Sequence, residues 1–255
     1  MPPTRCYLIR HAQTIWNRDN RLQGHSDLPL SPLGLEQAAR LARWFASRPI
    51  RGIFTSALKR SRQTAQTIAQ SNGHRLEPIV EPDLGEMHLG DWEGLTPEEV
   101  DARFDGAYQR WKIQPSSVRI PNAESLAAFR ERARRALRRV RDRIGEGEYL
   151  IVSHGGLIAA MLSDALDADY DVLLRRLRLD NAGVTALEWV DGPPAVCWVN
   201  ATAHLHDPAV GRPQHVRLRS APRHRGAMAG VQSRTCCACH GTKPRGRARA
   251  ACSNH

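Results

Sequence analysis

The chain has 255 residues, a hydrophobic fraction of 41%, and 37 Lys and Arg against 26 Asp and Glu, for a formal net charge of +11. That length allows one or two domains, and the apolar content is enough for a core. No segment approaches the ~18 continuous apolar residues of a membrane span. Met1 to Arg10 lacks the apolar stretch of an export signal, and cysteines are scarce outside the C-terminal region, so a cytoplasmic protein with no membrane partner is expected.

In chain order, the first predicted strand runs from Arg5 to Ile9 and delivers Arg10-His11-Ala12 into a small-polar turn. This places a cation and an imidazole at the C-terminal end of a strand, where open α/β sheets bind ligands. The arginine attracts an anion and disfavours the imidazolium, leaving the ring neutral and nucleophilic. Ser31 caps a predicted helix, Gly34 to Arg48, with Leu35, Ala38, Ala39, Ala42 and Phe45 on its inner face. Ile53 and Phe54 belong to a second strand, followed by a helix from Lys59 to Ser71. Ser56 suits its cap, and the first turn carries Arg60, whose guanidinium can hold phosphate bidentately. After the strand-like Pro78-Ile79-Val80, a glycine-punctuated loop from Leu84 to Gly94 holds Glu86. A carboxylic acid beside a phosphate pocket can protonate a leaving oxygen.

The segment 94–122 is expected to form a small helical cap. Its Phe104, Tyr108 and Trp111 follow helical i, i+4, i+7 spacing. The expectation is that this stripe packs on the sheet; the alternative is that one ring touches an apolar or ring-bearing leaving group. Glu124 to Ile144 reads as a long helix with Leu126, Phe129, Ala133, Leu137 and Val140 facing the core. Its Arg130, Arg132, Arg134, Arg135, Arg138 and Arg139 read as a solvated face. The strand Tyr149 to Val152 ends in Ser153-His154-Gly155-Gly156 and enters a helical stretch, Leu157 to Leu162. Glycine lets backbone approach a ligand, and a helix N-terminus offers N–H groups to an anion. Strands Val184 to Val190 and Ala195 to Asn200 flank a Gly192-Pro193-Pro194 turn. The alternation predicts an α/β fold, a three-layer sandwich around a mostly parallel sheet.

Residues 1–206 form the expected catalytic body. From Asp207 to His255 there are ten Lys and Arg against one acid, so +9 of the +11 lies there. Such a basic, apolar-poor tail is expected to be disordered. Cys236-x-x-Cys239 with Cys252-x-x-His255 has zinc-compatible spacing, and Cys236 to His240 matches a haem-attachment string. Neither is adopted, because Gly241 to Ala251 has no large apolar residue to pack a module, and the composition is also what an out-of-frame GC-rich reading produces. Cys6 and Cys197 lie in strands as expected buried thiols.

Seven elements occur in one order: Arg10-His11-Ala12, Thr14-x-Trp16-Asn17, Leu22-Gln23-Gly24, Asp27-x-Pro29-Leu30-Ser31, Ser56-x-Leu58-x-Arg60, Glu86 and Ser153-His154-Gly155. Together they resemble the histidine phosphatase, or phosphoglycerate-mutase-like, superfamily. The resemblance implies that His11 attacks a phosphomonoester to form a phosphohistidine. Glu86 would protonate the departing alcohol and then deprotonate the hydrolytic water. Arg10, Arg60 and a protonated His154 would hold the phosphate oxygens, with substrate contacts from Asn17, Gln23, Gly24 and Gly155. It implies no metal and no cofactor. The run Met87 to Thr96 resembles the phosphatase branch, which includes broad-specificity and α-ribazole phosphatases. Pro121-Asn122-Ala123-Glu124-Ser125 stands where such phosphatases often have Gly-Gly-Glu-Ser, which argues against close backbone approach to substrate there. The expected partner is a small organic phosphomonoester. A cofactor-dependent phosphoglycerate mutase and a non-catalytic phosphate- or polyanion-binding module stay open; nucleic acid is not an expected partner of the body.

Overall fold

Strand β1 (Thr4–Arg10) lies inside the sheet because every residue from Cys6 to Ile9 is apolar and both of its faces are covered. The computed structural model describes residues 3–71, 76–190 and 192–206; the disorder and zinc spacing considered for 207–255 fall outside them. The elements after β1 are α1 (Ile15–Arg18), α2 (Pro32–Phe45), β2 (Ile50–Thr55), α3 (Lys59–Ser71), β3 (Ile79–Val80), α4 (Pro97–Arg103) and α5 (Ala107–Ile113). They continue with α6 (Leu126–Arg143), β4 (Gly147–Ser153), α7 (Gly155–Ala165), α8 (Tyr170–Arg176), β5 (Val184–Trp189), β6 (Ala195–Ala201) and α9 (Ala203–His206). The sheet order is β3-β2-β4-β1-β5-β6. β1, β2, β3 and β4 pair in parallel, while β5 runs antiparallel to β1 and β6.

Alternation along β1 separates the two cores. Cys6 and Leu8 join Phe54, Ile151 and the buried faces of α6 and α7. Tyr7 and Ile9 join Ile53, Leu150 and the buried faces of α2 and α3. This is the expected three-layer sandwich with a mostly parallel sheet. Among the described residues, no helix is long and apolar enough to cross a membrane.

Several local expectations differ from the structure. Ser31 does cap α2, accepting from Gly34 N at 3.0 Å. However, the helix buries Gly34, Ala38, Leu41, Ala42, Trp44 and Phe45, and Leu35 is 52% exposed. The rotation follows from Gly34, where an added Cβ would lie 2.0 Å from the Gln13 carbonyl oxygen. Only glycine lets the helix seat that closely on the turn after β1, and this sets which face turns inward. Cys6 is buried, but Cys197 is only half-buried.

The cap stripe is broken. α4 starts with a capping box between Thr96 and Glu99 and stops at Phe104; Asp105 (φ +47°) and Gly106 (φ +68°) then leave the helical region before α5. Phe104, Tyr108 and Trp111 do not lie on one helix packed on the sheet. They surround Trp92, with ring centroids 6.4, 6.2 and 5.9 Å away.

The arginines of α6 also differ from expectation. Arg130, Arg134, Arg138 and Arg139 are exposed, but Arg132 and Arg135 are half-buried. Arg135 and Arg139 pair with Asp83 at 2.9 and 2.8 Å, and Arg143 with Glu81 at 3.3 Å. This stripe faces an acidic segment rather than water alone.

Candidate active site

Parallel pairing brings the key residues together. In the β1–β4 register Arg10 faces Ser153, so the next residues, His11 and His154, emerge side by side. Their ring centroids are 5.1 Å apart. His11 N donates to Ser153 O at 2.8 Å, and Ser56 N, beyond the end of β2, donates to Val152 O at 3.3 Å. Three strand ends thus converge at the C-terminal edge of the sheet.

His11 is 3% exposed. Its Nδ1 sits 2.7 Å from the Ala12 carbonyl oxygen. A carbonyl only accepts, so Nδ1 carries the proton and Nε2 keeps the lone pair. Burial, then the charges of Arg60 and Arg10, hold His11 well below its ordinary pKa. Burial outweighs the arginine charge that the Arg10-His11 pair suggests by itself.

His154 is fully buried and lies beside His11, with Nε2 2.8 Å from the Ser56 hydroxyl. Burial and then the Arg60 charge push its pKa well down. Ser56 therefore serves His154 rather than capping α3; its oxygen reaches only Leu58 N, at 3.4 Å.

Arg60, in the first turn of α3, is 1% exposed. Its Nη1 and Nη2 donate to Ser26 O at 2.8 Å and Gly24 O at 2.7 Å. Burial lowers its pKa to about 10, which leaves it charged at neutral pH. Arg10 Nη1 donates to Leu179 O at 2.5 Å. Arg10 Nε, Arg60 Nε and His154 Nδ1 are buried without a hydrogen-bond partner. Unmatched buried groups cost roughly 1–3 kcal/mol each, so the cluster has unused capacity for an acceptor-rich ligand.

Glu86 reaches the site from the loop after β3. Its Oε1 accepts from Met87 N at 3.0 Å, and its Oε2 accepts from Gly156 N, also at 3.0 Å. A Cβ on Gly156 would lie 2.6 Å from Oε1, so a side chain there would displace the carboxylate. The first turn of α7 thus serves the carboxylate. Gly155 lies against Arg10 instead and does not line the main cavity.

That cavity has a volume of about 430 Å³. Arg10, His11, Asn17, Gln23, Gly24, Arg60 and Glu86 all line it. Asn17 closes the α1 capping box, and its Oδ1 also accepts from Asn181 Nδ2 at 3.2 Å. Thr14 Oγ1 donates to Gln23 Oε1 at 3.0 Å. Gly24 (φ +49°) leaves no room for a side chain beside Glu93, whose Oε1 would be 2.1 Å from its Cβ.

Residues 6–202 match the histidine phosphatase superfamily (branch 1). The chain belongs to this superfamily. It is 35% identical over 218 residues to the protein named "Probable phosphoglycerate mutase GpmB" of Yersinia enterocolitica, covering 80% of this chain and 96% of that one. Its structure is similar to a mycobacterial glucosyl-3-phosphoglycerate phosphatase, with TM-score 0.71, 29% identity, and coverage of 78% of this chain and 100% of that one. It is also similar to a phosphoserine phosphatase from Entamoeba histolytica, with TM-score 0.70, 28% identity, and coverage of 79% and 99%. Family and neighbours support an enzyme of phosphate-ester chemistry, with both phosphatase and mutase among the names.

Some residues at the site carry no local sequence signal. Asn181 Nδ2 donates to His11 O at 3.0 Å and lines the cavity. Nothing near it in sequence marks it; the β1–β5 neighbourhood brings it in. Arg132 and His25 both donate to the Glu86 carbonyl, at 2.9 and 2.8 Å. Asn122 takes φ +57°, a conformation that asparagine tolerates in place of glycine. There the close backbone approach is to Gly90, whose Cβ would lie 2.1 Å from Pro121 O.

Proposed function

We propose that the protein is a phosphatase that hydrolyses small organic phosphomonoesters through a phosphohistidine. The observation that carries this is the His11 ring, neutral, with Nδ1–H spent on Ala12 and Nε2 left as nucleophile beside Arg10 and Arg60. Nε2 attacks phosphorus; the N–P bond forms as the P–O bond to the alcohol breaks. The Glu86 carboxyl gives its proton to the leaving oxygen. Its carboxylate then takes a proton from water, which attacks phosphorus and releases His11 and inorganic phosphate. The guanidiniums of Arg10 and Arg60 offset charge on the phosphoryl oxygens, so the step does not depend on a metal for that charge. With its Oδ1 committed, Asn17 offers its Nδ2 to an oxygen of the same group. His154 lies beside His11, ring centroids 5.1 Å apart, and its unpartnered Nδ1 belongs to the same acceptor-seeking cluster.

The rest of the cavity supports hydrolysis over phosphoryl return to a phosphoglycerate. A phosphoglycerate alcohol carries a further anionic group that needs its own cation. Beyond Arg10 and Arg60, the cation lining the described cavity is Arg21, and its Nη1 already donates to Gly94 O at 2.6 Å and Glu99 Oε2 at 2.8 Å. The remaining walls include Trp16, Leu22, Trp92, Tyr108, Trp111 and Leu174, which suit an apolar or ring-bearing alcohol. The mutase reading is favoured by the relatives named probable phosphoglycerate mutase GpmB; a coupled assay showing interconversion of phosphoglycerates would establish it instead.

The direct test is rapid-quench labelling of wild type and His11→Ala with a generic phosphomonoester in EDTA. Acid-labile, base-stable protein-bound phosphate in wild type alone, with phosphate release, is expected. Neither label nor turnover across a broad phosphomonoester panel would overturn the reading and favour a binding module.

A further inference from the structure

We infer that Arg132, on α6 and outside the cavity lining, is the positioning residue for Glu86; this rests on the proposed role of Glu86 as the acid. The Arg132 side chain is 13% exposed. Its Nη1 donates to Asp83 O at 2.9 Å and Gly85 O at 2.7 Å. Its Nη2 donates to Glu86 O at 2.9 Å and Glu124 Oε2 at 2.7 Å, and its Nε to Glu124 Oε1 at 2.9 Å. A guanidinium has five N–H donors in a rigid fork. Here all five have acceptors, and three of those are main-chain carbonyls of the segment that ends in Glu86.

This segment has no sheet ladder to hold it. β3 ends at Val80, one tight turn covers Pro82–Leu84, and Glu86 follows as loop. The fork takes the place of a ladder, because no one of the three carbonyls can shift without straining the bonds to the other two. Glu124 ties the fork to the next stretch as well, since Glu124 N donates to His88 O at 3.1 Å. Arg135, Arg139 and Arg143 extend the same row onto Asp83 and Glu81. The loop is therefore pinned along one side of α6, with the Glu86 carboxylate presented to Gly156 and the cavity.

A positioned acid must sit about 2.6–3.2 Å from the oxygen it protonates. A displacement of about 1 Å costs on the order of 10²-fold in rate. Arg132 touches neither His11, Arg10 nor Arg60, so its loss acts on leaving-group protonation and spares the phosphoryl pocket.

The test compares kcat/KM for two esters, because kcat/KM reports events up to phosphoenzyme formation. The 4-nitrophenolate of 4-nitrophenyl phosphate departs without a proton; the alkoxide of 2-phenylethyl phosphate must receive one. For Arg132→Met, a loss of about 10²-fold is expected on the alkyl ester and no more than about 3-fold on the aryl ester. Competitive inhibition by inorganic phosphate is expected to be unchanged. Arg132→Lys keeps the charge and stem but not the fork; it is expected to show the same bias at about 10-fold, and carries the test if the methionine variant does not fold. Equal losses on both esters, or phosphate inhibition weakened in step, would leave Arg132 a structural residue and overturn the inference. Glu86→Gln run in parallel must show the same bias. If it does not, the acid role of Glu86 falls, and the positioning role with it.

Discussion

The cavity has a polar floor and an aromatic wall, and they are built by different means. On the floor, His11, Arg10 and Arg60 are each tied to main-chain carbonyls, those of Ala12, Leu179, Gly24 and Ser26. On the wall, Tyr108 and Trp111 meet Trp92 ring to ring, within 6.2 Å, and Phe104 packs on Trp92 from outside the cavity. Hydrogen bonds are directional, so the floor has one productive arrangement. Apolar packing tolerates changes that keep volume, so the wall can be reshaped while the chemistry is kept. On the proposed function, reaction and specificity would occupy separable regions.

The comparison breaks most sharply at Trp92, which is 1% exposed at the centre of the wall. Trp92→Ala is expected to destabilise the fold by about 3–5 kcal/mol, read by denaturant unfolding. The floor stands on other cores, so the folded fraction should still turn over a small phosphate ester; complete loss per folded molecule would tie the regions together. Arg60→Ala should do the converse, lowering kcat/KM by about 10²–10³-fold on every ester alike. A loss confined to one leaving group would move Arg60 off the phosphoryl group. Trp111→Ala sharpens the wall's role. Its expected effect is about a 10-fold lower kcat/KM for 2-phenylethyl phosphate and little change for glycerol 3-phosphate. Equal values for both esters would show that Trp111 packs without touching substrate.

A separate effect is on stability against pH. His11 and His154 are held well below 6.5 by burial and arginine charge, and burial against the stacked Trp44 ring holds His204 at about 4. The unfolded chain binds these protons from pH 6.5 downward, and the folded chain does not until lower pH. Stability is therefore expected to fall as pH drops below 6.5, by about 1.4 kcal/mol per pH unit for each histidine held neutral. Urea midpoints at pH 7.5 and 5.5 measure it. A midpoint that did not move would show that the folded state accepts these protons.

Most of the floor was legible in the sequence, because each residue sits in a short contiguous signal. Arg10-His11 and Ser153-His154 each follow an apolar strand, and parallel pairing then makes neighbours of residues far apart in the chain. The wall was half legible. Phe104, Tyr108 and Trp111 have helical spacing, but periodicity cannot see Asp105 and Gly106 turning the chain between them. Four of the six α6 arginines are exposed as expected, but the partners of Arg132 and Arg135 are not legible, because an amphipathic pattern shows which residues leave the core, not what they meet outside it. Asp83 and Glu81, which meet them, arrive from a segment before the cap.

What the amino-acid sequence determined by itself is therefore local: alternating strands and helices, caps, and the histidines and arginines placed at element ends. Period, propensity and capping act over a few residues and need no partner from elsewhere. Only the tertiary structure decided which carbonyls saturate Arg132 and which anchor Arg60, that Gly156 rather than Gly155 meets Glu86, and that burial lowers the His154 pKa. Those outcomes depend on burial and on distances between distant segments, and desolvation and hydrogen-bond geometry come into being only once the chain has packed.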